Sequence, residues 1–240
     1  MQKEKIAIIG AGLVGSLLSV LLSKKGYDIS LFEKRSDMRK SDLKGGRSIN
    51  LALSNRGWRA LAMAGIEEEI RKIAIPMKGR LMHSKEKDLT YQPYGKDGQN
   101  IYSVSRALLN EVMMTEAEKH GVEISFDYKC QSIDSEKGAI EFLDEKNNPV
   151  NKQFDLIFGT DGAFSAVRGS FMKRDRFSYS QQYLSHGYKE LEIKPDSNGN
   201  FKLEENYLHI WPRGEYMLIA LPNPDKTFTC TLFFPFEGNP

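Results

Sequence analysis

Three glycines near the start of the chain, Gly10, Gly12 and Gly15, have the spacing of a dinucleotide-binding turn. The first allows a tight turn, the second lets the backbone approach a diphosphate, and the third lets a helix pack closely on a strand. The amides at the start of that helix favour an anionic ligand. Glu33 ends the next apolar run, where it can accept hydrogen bonds from ribose hydroxyls. Together these residues predict a dinucleotide site.

Glu33 narrows the choice of dinucleotide without deciding it. A carboxylate at this ribose disfavours a 2′-phosphate, so NADP is not expected in this pocket, whereas FAD and NAD both stay open. The alternative is that the glycines only shape a turn and that Glu33 is a solvated strand end. A strand before the glycines and a helix after them favour ligand binding.

A second motif, GTDGAFSAVR at residues 159–168, follows another apolar run. It resembles the DG motif of flavin-dependent aromatic hydroxylases, which lies near the flavin diphosphate, and this resemblance selects FAD. Taken alone, Asp161 is also consistent with an acidic turn that caps a helix. Longer segments carry the same resemblance in order along the chain: GAGLVGSLL, GRSINLALSNRGWRAL, MKGRLMH, PYG, SVSRALLN, HGYKELEI, YLHIWPRG and FTCTLFFPFE. Within the family they are most similar to the members that hydroxylate L-kynurenine.

The resemblance implies an α/β fold: a glutathione-reductase-like FAD/NAD(P)-binding domain of the Rossmann βαβ type, with an inserted, mainly antiparallel β-sheet substrate domain. It implies non-covalently bound FAD. The predicted cofactor-binding residues are Gly10, Gly12, Val14, Gly15, Phe32, Glu33, Lys34, Arg35, Ala52, Arg106, Cys130, Asp161 and Ala166. Only backbone contacts are expected at Cys130 and Ala166, whose side chains differ from those of relatives. Arg106 opens a helix, where an anionic partner would explain it and a surface cation is the alternative.

The segment KGRLMHSKEKDLTYQPYG, residues 78–95, predicts a hairpin with Arg80 near its start and Tyr94 near its end. By resemblance these two residues bind the substrate carboxylate, for which an arginine fork is suited. From the sequence alone both could be half-exposed β residues. The hairpin lysines are interpreted as its solvated face.

The resemblance implies an NADPH-dependent FAD monooxygenase that converts L-kynurenine to 3-hydroxykynurenine with O2 through a flavin C4a-hydroperoxide, in tryptophan catabolism. The cofactor would carry the chemistry, so no catalytic residue is predicted. Two alternatives stay open: a flavin hydroxylase of another aromatic acid, and an FAD- or NAD-binding module without oxygen chemistry. His83 is interpreted as a hydrogen-bonded structural residue, and no metal-ligand pattern includes it.

Apolar periodicity predicts the elements that must position these residues. Leu17, Leu18, Leu21 and Leu22 predict a helix that ends by Gly26, and a further helix is expected near residues 58–63 and another over 106–120. Strands are predicted at residues 5–9, 29–32, 122–126, 139–143 and 154–158, with β-structure over 77–103. The runs 183–193, 207–211, 215–221 and 227–234 predict an antiparallel sheet, whose aromatic residues would form its core and one wall of the substrate cleft.

These elements suggest an FAD-binding domain over residues 1–76 and 101–175 and a substrate domain over 77–100 and 176–240. Family members continue beyond an FFPFE segment into a GD-containing motif and C-terminal helices. We therefore expect residues 237–240 to lie within the substrate domain and the chain to be an N-terminal portion that is weakly active or inactive alone.

Composition excludes several classes of protein. The 34 Lys and Arg against 32 Asp and Glu give a net charge of +2, which does not favour nucleic acid as a partner. Cys130 and Cys230 are distant in sequence and lack a secretory context, so free buried thiols and a cytoplasmic location are expected. No apolar run is long enough to span a bilayer. The expected partners are L-kynurenine, NADPH and O2, and oligomeric state is not predicted.

Overall fold

The computed structural model describes residues 3–40, 49–96 and 98–237, so parts of the predicted motif GRSINLALS and residues 238–240 lie outside the described residues. The helices are α1 Leu13–Ser23, α2 Asn55–Ala64, α3 Glu67–Arg71, α4 Arg106–Lys119 and α5 Ala166–Phe171. The strands are β1 Lys5–Ile9, β2 Asp28–Phe32, β3 Asn50–Leu53, β4 Ile75–Met77, β5 Gly79–His83, β6 Leu89–Pro93, β7 Ile101–Ser105, β8 Glu123–Ser125, β9 Lys129–Asp134, β10 Ala139–Leu143, β11 Pro149–Gln153, β12 Leu156–Gly159, β13 His186–Ile193, β14 Leu208–Arg213, β15 Tyr216–Pro222 and β16 Phe228–Pro235. These elements form two compact units.

The first unit comprises the described parts of Met1–Lys44, Met63–Ile66 and Asn110–Gln181. Its main sheet has the strand order β12–β1–β2–β8, and every neighbouring pair is parallel. Ile6 to Ile9 are buried without alternation, as expected for a parallel strand covered on both faces. Helix α1 connects β1 to β2, so the predicted Rossmann-type βαβ unit is confirmed.

Small residues, rather than leucines, form the buried face of α1. Gly15, Ser16, Ser19 and Val20 are buried, whereas the four leucines that predicted the helix are only partly buried. The Ser19 hydroxyl donates to the Ser16 carbonyl at 2.7 Å, so its polar group is satisfied inside the helix. Small side chains bring the helix backbone close to its neighbours, which is the packing that the glycine spacing predicts.

An antiparallel sheet of order β11–β10–β9 completes the first unit. Its core joins Phe142 of β10 to Phe32 at the end of β2, with ring centroids 4.4 Å apart, and Cys130 is buried in the same cluster. Strand β10 agrees with the predicted run at 139–143, whereas β9 and β11 were not predicted. Strand β9 buries only Cys130 and β11 buries no residue, so neither has the apolar run that marks the predicted strands.

The second unit comprises the described parts of Gly45–Ala62, Glu67–Leu109 and Gln182–Pro240. Its large sheet has the order β13–β16–β15–β14–β5–β6 and is antiparallel except between β14 and β5. The parallel pair sets Leu208 against Arg80 and was not predicted. A core of Ala220, Phe228 and Cys230 packs on one face of this sheet, with Trp211 against it. The fold class, a parallel α/β sheet with a mainly antiparallel second sheet, is confirmed.

The compact units follow other boundaries than the two predicted domains: residues 49–62, 67–76 and 101–109 group with the large antiparallel sheet, and residues 176–181 belong to the first unit. The reason is a three-stranded antiparallel sheet of order β3–β7–β4. Ser103 of β7 donates to the Pro222 carbonyl at 2.8 Å, and Asn50 of β3 donates to Asn223 at 2.7 Å. The functional assignment of the two predicted domains stays a prediction.

Three further features bear on the sequence predictions. Cys130 and Cys230 are free and buried, as predicted. Among the described helices none combines the length and apolar character needed to cross a membrane. Within residues 3–40, 49–96 and 98–237 no cluster of three His, Cys, Asp or Glu residues could hold a metal ion.

Candidate functional site

The three glycines of the turn differ in what surrounds them. Gly10 has φ +102°, and a Cβ there would lie 2.7 Å from the Thr160 carbonyl oxygen and 2.8 Å from the Asp161 Cα. A Cβ on Gly15 would overlap the Gly10 carbonyl and lie 2.6 Å from Thr160 Oγ1. A Cβ on Gly12 would meet nothing within 4 Å. Gly10 and Gly15 thus allow the turn, the start of α1 and residues 160–161 to approach one another closely, whereas Gly12 faces open space.

The start of α1 has the character of an anion site. Gly12 is its N-cap and provides no side-chain hydrogen bond, and the first turn has no acidic residue. The amides of the first turn are therefore left for a ligand, and no carboxylate within the turn itself offsets the positive end of the helix dipole. Val14 lies in this turn with 67% of its surface exposed. A diphosphate fits this helix start in charge and in space.

Glu33 follows β2 and lies beside the glycine turn. Its carboxylate is 7% exposed and accepts a hydrogen bond from the Ala11 amide at 3.0 Å. The other oxygen accepts from the Arg35 amide and from Arg35 Nε, at 3.1 and 2.9 Å. Because each carboxylate oxygen has two lone pairs, acceptor capacity remains for a ribose hydroxyl. Lys34 and Arg35 are exposed, whereas the Phe32 side chain is in the core and only its backbone faces the turn.

The DG turn is tied internally. The Asp161 carboxylate accepts hydrogen bonds from Ser165 Oγ at 2.5 Å and from the amides of Ala166 and Val167 at 2.7 and 3.2 Å, so it caps α5. This geometry corresponds to the capping alternative for Asp161, and its cofactor role stays a prediction. Burial, and to a smaller extent the charge of Asp161, raises the pKa of the Cys130 thiol to about 12. The thiol is therefore neutral and part of the core.

Two polar residues that the sequence did not single out contact the glycine turn. Thr160 Oγ1 lies 2.8 Å from the carbonyl oxygens of both Ile9 and Gly10. Asn110 of α4 donates from Nδ2 to the Ala11 carbonyl at 3.1 Å. Thr160 directly precedes the DG pair, which was the one available signal, and nothing in the pattern of α4 marked Asn110.

Two predicted cofactor residues belong to the second unit. Ala52 lies on β3, opposite Ser103, and is exposed. Arg106 is the first residue of α4, its amide donates to the Ile49 carbonyl at 3.2 Å, and its side chain is exposed. In the described part of the chain no carboxylate forms an ion pair with Arg106. The anionic-partner hypothesis for Arg106 therefore stays open.

The hairpin brings Arg80 and Tyr94 together. Strands β5 and β6 pair antiparallel with Arg80 opposite Gln92, and the Arg80 guanidinium carbon lies 4.8 Å from the centre of the Tyr94 ring. The Tyr94 hydroxyl is buried and has no hydrogen-bond partner among the described residues. Burial raises the pKa of the Tyr94 phenol, and Arg80 opposes this effect through its charge and through its approach to the hydroxyl. Tyr94 also lines a cavity of about 760 Å³.

His83 is hydrogen-bonded, as predicted. Its Nε2 lies 2.9 Å from His209 Nδ1, and its ring stacks on Trp211 with centroids 4.1 Å apart. His209 Nε2 lies 2.8 Å from the Glu204 carbonyl, which can only accept, so His209 donates there and accepts from His83. Burial is the main cause that lowers the pKa of both histidines. Both imidazoles are therefore neutral, and together they connect β5 to β14 and to the Glu204 carbonyl by hydrogen bonds.

The sequence profile of the FAD binding domain family matches residues 3–197. Kynurenine 3-monooxygenase of Christiangramia forsetii is 49% identical over 241 residues, which cover 99% of this chain and 54% of that protein. Kynurenine 3-monooxygenase of Sus scrofa is 47% identical over 238 residues, which cover 99% of this chain and 50% of that protein. The chain thus spans about half the length of the curated relatives it matches.

Solved structures share the fold at low sequence identity. A variant of 2-methyl-3-hydroxypyridine-5-carboxylic acid oxygenase has a TM-score of 0.78 and 19% identity, and the match covers 98% of this chain and 60% of that one. A variant of Klebsiella pneumoniae HpxO complexed with FAD has a TM-score of 0.75 and 16% identity, with 99% and 58% covered. At these identities the likeness concerns the fold alone.

Proposed function

The chain belongs to the FAD binding domain family, and from this premise we propose that it acts in a flavin-dependent monooxygenase that hydroxylates L-kynurenine to 3-hydroxykynurenine with NADPH and O2. Near-complete coverage of the chain by relatives named kynurenine 3-monooxygenase supports the choice of substrate. The observation that carries the proposal is the exposed Arg80 guanidinium against the ring of Tyr94, whose buried hydroxyl has no hydrogen-bond partner within the described part of the chain.

The residues of the first unit fit FAD. Gly12, Val14 and Gly15 would present the amides of the open helix start to the diphosphate, and Glu33 would accept from the adenosine ribose. The neutral core thiol of Cys130 leaves only its backbone available for a cofactor contact. When bound, FAD supplies the redox chemistry and the activation of oxygen.

Arg80 and Tyr94 suit the α-amino-acid end of kynurenine. A guanidinium can hold a carboxylate through two parallel hydrogen bonds, and the Tyr94 hydroxyl can add a third donor. An unpaired buried hydroxyl costs about 1–3 kcal/mol, which a ligand oxygen would offset. The cation lies against the Tyr94 ring, so its orientation is restricted before the ligand arrives.

The role of the chain in the reaction is to bind and orient. A carboxylate held at the hairpin fixes one end of the substrate, which limits the positions that its aromatic ring can take. No acid or base from the chain is assigned to the oxygen-transfer step. His83 and His209 are hydrogen-bonded to each other, and His209 also donates to the Glu204 carbonyl. We therefore assign both histidines a structural role.

A substrate series on the purified flavoprotein tests this function. NADPH oxidation should accelerate with L-kynurenine and yield 3-hydroxykynurenine, and it should stay slow with anthranilate and phenolic acids. If another aromatic acid accelerated NADPH oxidation more than kynurenine does, that acid and not kynurenine would be the substrate. Bound FAD without any substrate-dependent NADPH oxidation would favour a binding module. Free, buried cysteines support a reducing compartment, and we place the reaction in the cytoplasm.

A further inference from the structure

The carbonyl groups of the glycine turn are held by side chains outside the glycine motif. Thr160 Oγ1 is 2.8 Å from the Gly10 oxygen, and Asn110 Nδ2 is 3.1 Å from the Ala11 oxygen. Both residues are distant from the turn in sequence but belong to the same compact unit. The two contacts fall on consecutive peptide groups at the start of α1.

The first of these peptide groups, between Gly10 and Ala11, is held at both ends. Its amide donates to Glu33 at 3.0 Å, and its oxygen lies 2.8 Å from Thr160 Oγ1. The single hydroxyl hydrogen of Thr160 also lies within reach of the Ile9 carbonyl, but that carbonyl already accepts from the Thr160 amide at 2.8 Å, so the hydroxyl can donate to Gly10. A planar peptide that is bound through both its oxygen and its amide cannot rotate without breaking one of these hydrogen bonds. Thr160 and Glu33 thus fix the orientation of the peptide plane between Gly10 and Ala11, which lies one residue before Gly12.

Within the described part of the chain, the second peptide group, between Ala11 and Gly12, is held through its oxygen. Asn110 Nδ2 and the Ser16 hydroxyl donate to that oxygen, at 3.1 and 3.2 Å. In a trans peptide the carbonyl and the amide point in opposite directions, so fixing the Ala11 oxygen aims the Gly12 amide. A Cβ added to Gly12 would meet no atom within 4 Å, so there is space for a ligand beside this residue.

Asn110 is a poor choice for packing alone. The residue is 8% exposed, and its Oδ1 is buried without a partner among the described residues. An unpaired buried acceptor lowers stability, so an apolar residue of similar size would pack better at this position of α4. The hydrogen bond from Asn110 Nδ2 to the Ala11 carbonyl explains why an asparagine stands at this position.

We propose that Asn110 and Thr160 are positioning residues that orient the amides of the glycine turn toward the diphosphate of FAD. This inference rests on the proposed function in that FAD is taken as the dinucleotide. Both side chains act through the peptide planes at Gly10 and Ala11. Their removal should therefore weaken ligands that contain a diphosphate and leave a ligand without phosphate unaffected.

The test compares FAD, ADP and adenosine as ligands of the cofactor-free protein, with dissociation constants measured by calorimetry. Asn110→Leu and Thr160→Val each remove a donor with little change in volume. We expect each variant to weaken FAD and ADP by about five- to tenfold, the range for one lost hydrogen bond, with adenosine unchanged. Thr160→Ser should restore wild-type affinity. Thr115→Val is the matched control, because Thr115 lies on the same helix but bonds the Glu111 carbonyl and Arg39 instead of the glycine turn.

Unchanged FAD and ADP affinity in both variants, or an equal loss for adenosine, would overturn the positioning role. If Asn110→Leu fails to fold, the Thr160→Val and Thr160→Ser pair decides. Failure of the proposed function has a different signature, because a wild-type chain that binds ADP but not FAD would reject the flavin while the ADP and adenosine series still tests positioning.

Discussion

The glycine turn and the Arg80 hairpin differ in how fully their polar groups are satisfied. In the turn, the Gly10 amide donates to Phe32 at 2.7 Å, and both ends of the next peptide are bound. In the hairpin, all of β6 is exposed, and the buried Tyr94 hydroxyl has no partner among the described residues. The peptide groups that shape the turn are bound within the protein and leave the amides of α1 for a ligand, whereas in the hairpin a side-chain donor stays open among the described residues.

This difference fits two kinds of ligand. A cofactor that stays bound gains affinity from a binding site that is already rigid in its absence, because the protein then loses little conformational entropy on binding. A substrate that must enter and leave can instead be selected by a group that stays unsatisfied until it arrives. The four predictions below test whether the turn is structural and the hairpin is ligand-dependent.

The largest effect is expected at Gly15. Gly15→Ala would place a Cβ against the Gly10 carbonyl, and we expect a loss of roughly 4 kcal/mol or more in the free energy of unfolding. Gly12→Ala, where a Cβ meets nothing, should keep its stability but lose FAD. Thermal unfolding of the cofactor-free variants measures the first effect, and FAD titration the second. Gly169→Ala, in an open position of α5, is the control, and equal Tm values for the Gly15 and Gly12 variants would contradict the distinction.

Arg80→Ala should weaken L-kynurenine binding by roughly 2–5 kcal/mol, because a carboxylate loses its charged partner. FAD content should stay unchanged. Calorimetric titration with kynurenine and the flavin absorbance of the purified protein measure the two quantities. Gln92→Ala, the residue paired with Arg80 across the hairpin, serves as the control. Wild-type affinity in Arg80→Ala would remove Arg80 from the substrate site.

Tyr94→Phe should shift stability and affinity in opposite directions. Removing a buried hydroxyl that has no partner among the residues the structure describes should raise the free energy of unfolding of the ligand-free protein by about 1 kcal/mol. Kynurenine affinity should fall by about 1 kcal/mol, because one donor to the carboxylate is lost. Tyr91→Phe is the matched variant, since its hydroxyl already donates to the Lys78 carbonyl at 3.2 Å. A stability loss in Tyr94→Phe would mean that the hydroxyl is satisfied.

The smallest effect concerns the histidine pair. Side chains alternate along β5, so His83 lies on the sheet face opposite Arg80. Burial lowers the pKa of His83 and His209 in the folded protein, so between those values and the ordinary value near 6.5 the unfolded chain binds more protons. Stability from this pair is complete above pH 6.5 and is lost as the pH falls. We expect His83→Gln to reduce the drop in Tm between pH 7.5 and 5.5 by about 2 °C, with exposed His186→Gln unchanged.

The sequence predicted features that are short-range. Gly10, Gly12 and Gly15 reveal their turn through spacing, and Arg80 and Tyr94 were placed together because an antiparallel hairpin joins residues on opposite arms. Each signal requires only the local chain geometry of a turn, a helix or a strand. The cofactor and substrate roles of these residues stay predictions.

Contacts between distant segments were not predictable from the same patterns. The grouping of β3 and β4 with β7, and the hydrogen bond from Asn110 to Ala11, join segments whose partners carry no matching local signal. The burial of Ser16 and Ser19 on α1 likewise has no local signal, although the leucine spacing correctly predicted the helix itself. Tertiary context decides such cases.

The parallel pairing of β14 with β5 affects the order in which the protein can assemble during synthesis. The hairpin of β5 and β6 leaves the ribosome long before Leu208, its register partner opposite Arg80, has been translated. An isolated two-stranded hairpin is only marginally stable in water. Until β14 emerges, the nascent hairpin exposes an unpaired edge that a chaperone can recognise, so slow translation between residues 95 and 208 would lengthen its exposure to misassembly.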